Sequence, residues 1–67
     1  METEQWGRRI RAFRKLKGYT QADLAKKLDI SLSILGEIER DNRRPTQELI
    51  QKISKTLHVS IDEFLNI

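Results

Sequence analysis

Between Thr20 and Arg40 two short apolar-striped segments are separated by only three residues, Asp29, Ile30 and Ser31. Thr20 suits the start of a helix, because its hydroxyl can accept from an unpaired first-turn amide. Asp23 follows three residues on, a weaker form of a capping box. Leu24, Ala25 and Leu28 then recur at helical spacing over Gln21 to Leu28. Ser31 can cap a second run from Leu32 to about Arg40, with Leu35 and Ile38 pointing inward. So short a break leaves no room for an antiparallel return, and the two helices must cross steeply. That geometry is the helix-turn-helix.

The rest of the chain supplies helices to support this pair. A first segment from about Glu4 to Lys17 places Trp6, Ile10, Phe13 and Lys17 on one face, with Arg14 beside Ile10 and Phe13. Gly18 can adopt the left-handed conformation that stops it. After the polar loop Asp41-Asn42-Arg43-Arg44-Pro45, Thr46 caps a segment from Gln47 to Leu57 with Leu49, Ile50, Ile53 and Leu57 as its stripe. Ser60 and Glu63 form a capping box for a last short helix containing Ile61, Phe64 and Leu65. No segment alternates with a period of two, so the fold class is all-α with five helices. Its 67 residues suit one domain, residues 1–67, with one small core.

Composition narrows the function classes. The chain has no cysteine, so neither disulfides nor a thiolate metal site support the core. No apolar run is long enough to span a membrane. The acidic, polar start lacks the order of a secretion signal, and a cytoplasmic location is expected. The formal net charge is +3, with six basic and two acidic groups in residues 1–17 and a second basic stretch at Arg40–Arg44. There is no nucleophile–base pair and no glycine-rich phosphate loop, so no enzyme is expected and no cofactor is implied. His58, the only histidine, is expected at the surface near the end of the fourth helix, where its protonated form suits the helix dipole.

The chain resembles the Cro/C1-type (Xre-like) repressor family. The residues that carry the resemblance are Arg14, Gly18, Thr20-Gln21, Leu24-Ala25, Leu28, Ile30-Ser31, Leu35, Ile38-Glu39-Arg40, Pro45-Thr46 and the tail Leu57 to Phe64. They span roughly residues 7–65. The resemblance implies a five-helix, lambda-repressor-like domain that regulates transcription on double-stranded DNA, as a repressor. It places Gln21 at a phosphate, where a helix N-terminus suits an anion. It makes Leu32 to Arg40 the recognition helix, with Ser31, Leu32, Ser33, Gly36 and Glu37 toward the bases. Arg40, Asn42, Arg43 and Arg44 correspond to the loop that holds the backbone. Arg14 and Glu39 correspond to an ion pair between the first and third helices.

Two departures qualify that expectation. The groove-facing set contains neither the arginine that forks onto guanine nor the amide that forks onto adenine. Leu32 can touch a thymine methyl, Ser33 can donate or accept, and Glu37 can accept from a cytosine amine while repelling phosphate. Asp29 stands where the family's turn carries glycine, and aspartate tolerates the left-handed region better than most residues. A protein-interaction module that keeps the fold and loses base reading is the competing function, favoured by Leu32, Ile34 and Glu37. A weak homodimer through Leu65, Ile67 and the edge of Trp6 is the expected assembly.

Overall fold

A computed structural model describes residues 6–65. It contains α1 (Trp6–Leu16), α2 (Gln21–Leu28), α3 (Leu32–Glu39), α4 (Gln47–Leu57) and α5 (Ile61–Leu65). No strand occurs among the described residues. The expected start of the first helix at Glu4 lies outside them. Its end falls at Leu16, and Gly18 turns the chain with φ 83°. Tyr19 N–H then reaches back to the Arg14 carbonyl at 3.0 Å.

Four threonine or serine side chains set the starts of α2 to α5. Thr20, Ser31 and Thr46 each accept from the amide three residues on, that of Asp23, Ile34 and Leu49. At Thr20 the box is reciprocal, since Asp23 accepts from the Thr20 amide at 3.2 Å. At α5 the expected box is reciprocal too, with Ser60 Oγ accepting from the Glu63 amide at 3.1 Å and Glu63 Oε1 from the Ser60 amide at 2.9 Å. Two of the helix ends are left-handed, at Asp29 (φ 60°) and His58 (φ 57°). His58 is exposed and serves as the C-cap of α4.

The core gathers residues from all five helices and Val59 from the link between α4 and α5: Ile10, Leu24, Ala25, Leu28, Leu35, Ile38, Ile53, Leu57, Val59 and Phe64. Each large side chain fully buried there contributes about 1.5–3 kcal/mol against the cost of ordering the chain. Trp6 and Phe13 stand edge-on to Phe64, with ring centroids 6.1 and 5.0 Å away. Trp6 is half-buried rather than core. α3 packs against α1 and α2, α4 packs against α2 and α1, and α5 closes on α1 and α4. α3 is thus held on one side by two helices and left open on the other.

The start of α1 sits on the end of α3. A side-chain carbon at Gly7 would lie 2.3 Å from the Ile38 carbonyl oxygen and 2.7 Å from that of Glu39. Only glycine lets the two backbones approach this closely. The Gly7 amide donates to Asp41 Oδ1 at 3.0 Å, and Asp41 is itself left-handed with φ 63°.

Candidate nucleic-acid interface

The angle between α2 and α3 is built from local chemistry. Asp29 turns left-handed, and the Ile30 amide returns to the Ala25 carbonyl at 3.0 Å. Ala25 of α2 and Ile38 of α3 are both buried in the core. Ile30 is half-buried against the core. Lys52 of α4 donates to the Leu28 carbonyl at 2.8 Å, satisfying an end of α2 that its own helix leaves open.

A buried carboxylate joins both ends of the motif. Arg14 Nε donates to Glu39 Oε2 at 2.7 Å and Arg14 Nη2 to Glu39 Oε1 at 3.1 Å. The third guanidinium nitrogen, Nη1, donates to the Tyr19 carbonyl at 2.8 Å. Gln21 Nε2 donates to Glu39 Oε1 at 3.0 Å. The two charged side chains are only 7% and 2% exposed. Charges so far from water persist only when paired and fully hydrogen-bonded. Here every hydrogen-bonding nitrogen of Arg14 and both oxygens of Glu39 have partners. Gln21 is therefore anchored at the first turn of α2 by its side chain.

The opposite face of α3 is open. Ser31, Leu32 and Ser33 are exposed, Leu32 by 51%. Gly36, which the sequence places toward the bases, is buried instead. The Arg40 guanidinium folds over it, with Nη1 3.1 Å from where a side-chain carbon would stand. Glu37 is half-buried and does not stand alone, because Arg43 Nε donates to its Oε1 at 2.8 Å. Arg40, Asn42, Arg43 and Arg44 are all exposed around the end of α3. The Asn42 amide folds back to the Glu37 carbonyl at 2.8 Å, and Pro45 is buried beneath the loop. Thr20, Gln21, Glu39 and Arg40 border one surface hollow, which brings the start of α2 beside the end of α3. The Asp23 carboxyl sits below its ordinary pKa, chiefly because the Thr20 amide donates to the charged form.

The sequence pattern announces none of the Gln21–Glu39, Gly7–Asp41, Lys52–Leu28 and Arg43–Glu37 links. The Gly7–Asp41 bond spans 34 positions and the Lys52–Leu28 bond 24, and no local pattern announces either. The Arg43–Glu37 bond joins residues six apart across a helix end, outside the helical neighbour spacings. Ile67 and the side chain of Leu65, both assigned to self-association, lie outside the described residues. No helix among the described residues is long and apolar enough to cross a membrane.

Comparison with known proteins places this geometry. Residues 10–64 match the family model described as Helix-turn-helix. The chain is 65% identical over 63 residues to YazB of Bacillus subtilis (strain 168), an uncharacterized HTH-type transcriptional regulator, covering 94% of this chain and 91% of YazB. It is 38% identical over 61 residues to the HTH-type transcriptional regulator SinR of the same strain, covering 90% of this chain but only 55% of SinR. A crystal structure of SinR, the master regulator for biofilm formation, in complex with DNA superposes with a TM-score of 0.81 at 38% identity, covering 90% of this chain and 97% of that one. The restriction-modification controller protein C.AhdI from Aeromonas hydrophila superposes with a TM-score of 0.83 at 30% identity, covering 91% and 92%.

Proposed function

We propose, from the premise that this chain belongs to the Cro/C1-type helix-turn-helix family of transcriptional regulators, that it acts as a sequence-specific repressor on duplex DNA. One observation carries the reading most directly. α3 is locked from behind by Arg14 and Glu39 while its other side shows Ser31, Leu32 and Ser33 to solvent. Cationic side chains flank that open side, and a groove lined by phosphates is the partner such a face fits.

The roles follow from placement. Gln21, at the N-terminus of α2, and Arg40, Asn42 and Arg44, around the end of α3, hold phosphates and supply most of the affinity. Arg43, tied to Glu37, stands apart from this set. Ser31, Leu32 and Ser33 meet base edges, with Leu32 against a thymine methyl. The residues act by binding rather than by catalysis, in the cytoplasm, as one 67-residue helix-turn-helix domain. A single module makes few contacts, so a weak homodimer on paired half-sites completes the site.

Duplex binding measured across a salt series tests the reading. The expected result is affinity that falls steeply with salt, and an Arg44→Gln slope flatter by roughly 0.9. A chain with no salt-dependent duplex binding would overturn it. The exposed Leu32 would then speak for a protein partner instead.

A further inference from the structure

The Arg43–Glu37 pair is an unusual use of an acidic residue on a DNA-facing helix. Glu37 stands on the open side of α3, where a bare carboxylate repels phosphate. Its Oε1 is taken by Arg43, and the contact is made through Nε alone. That leaves the two terminal guanidinium nitrogens of Arg43 clear of Glu37, and no further hydrogen bond to them occurs among the described residues. Those nitrogens form the fork that matches guanine O6 and N7. Both side chains are substantially exposed, 52% for Arg43 and 40% for Glu37. An ion pair this open contributes little to stability. Its consequence is positional: it holds a long, flexible cation against the groove-facing side of α3.

We propose that Arg43 reads a guanine in the major groove and that Glu37 is the positioning residue that aims it. This deepens the DNA-binding reading and rests on it. Between Leu32 and Glu39 α3 has no forked donor on its open side, and the Arg40 guanidinium at its end is folded over Gly36. The loop beyond supplies a second fork, carried back to the helix by a carboxylate. Glu37 faces guanine only through Arg43. The negative charge at the groove is neutralised before contact, so the pair presents a donor where the sequence shows an acceptor.

The test uses the full chain and a duplex recovered by selection from random DNA. Equilibrium affinities are measured for that duplex and for its single base-pair substitutions, with the parent, Arg43→Lys, Glu37→Gln and the double variant. Lysine keeps the charge and loses the fork. The expected result is one G·C pair that the parent prefers by roughly 5- to 150-fold, the value of a forked contact. Arg43→Lys and Glu37→Gln should each collapse that preference at the same base pair. The double variant should do no worse than either single one. Preference retained in Arg43→Lys makes Arg43 a phosphate contact and overturns the proposal. Preference altered by Glu37→Gln alone makes Glu37 the direct reader and also overturns it. Both outcomes leave salt-dependent binding of the parent intact. Its loss on every duplex would instead reject DNA binding itself, and the proposal with it. Thermal melting of each variant close to the parent's separates these effects from misfolding.

Discussion

α3 carries two glutamates two positions apart, and each is bonded to an arginine at nearly the same distance. Glu39 meets Arg14 at 2.7 Å and Glu37 meets Arg43 at 2.8 Å. Two positions turn a helix by about 200°, so the pairs face opposite ways. One is sealed between helices, and the other stands in water. Burial alone converts the same chemistry from an open surface pair into a structural joint. In water the attraction is screened and costs side-chain freedom, leaving ~0–1 kcal/mol. Out of water each charge has nowhere else to go, and loss of its partner is what becomes expensive.

Arg14→Met gives the sharpest test of that contrast. It leaves Glu39 buried with only Gln21 beside it, and the Tyr19 carbonyl without its donor. A loss of about 3–5 kcal/mol is expected by denaturant unfolding. Arg14→Met with Glu39→Leu should recover much of that loss, because neither charge is then stranded. A double variant as unstable as the single one would mean that the pair is prized for its bonds and not for its balance.

Gly7→Ala presses on the same sealed side. Its new carbon meets backbone that cannot yield freely, and a loss of about 1–3 kcal/mol is expected. Thermal melting indistinguishable from the parent would show that α1 can move off α3. At the open side Ser31→Ala removes the cap of α3, and about 1 kcal/mol should go with it. Asp23 belongs to the exposed chemistry as well. Its folded-state pKa is lowered, so its contribution is present above its unfolded pKa and lost as pH falls through the folded value. Stability of the parent should therefore decline in that acid range, and Asp23→Asn should reduce the decline measured in an acid titration.

The smallest change is expected at Glu37→Gln, within ~1 kcal/mol of the parent. A large loss there would erase the contrast between the two faces of α3.

The sequence made most helix boundaries legible because they are decided locally. Thr20, Ser31 and Thr46 announce their helices, and α2 and α4 begin and end at the expected residues. Asp29 was readable for the same reason, since a very short turn demands one left-handed residue. Gly7 was not. A glycine in a helix reads as a weakness until the carbonyls that approach it, more than thirty residues away, are known. Val59 was equally silent: one valine beyond a helix has no period to betray it, yet it is buried. In the candidate interface the structure places some of the expected residues differently from the sequence reading. Gly36 lies under Arg40 because a long side chain beyond the helix end folds back across it. Glu37 reads as a solitary acid in the sequence because its partner, Arg43, lies in a loop.

The knot of Arg14, Glu39 and Gln21 has a consequence for the search along DNA. It ties the first turn of α2 to the last turn of α3, so on the proposed reading the span between Gln21 and the open side of α3 is set before the protein meets a duplex. No hinge must settle at each trial position. A body with a fixed bite can sample successive registers as fast as diffusion and counterions allow, and reject each wrong one without unfolding any part of itself.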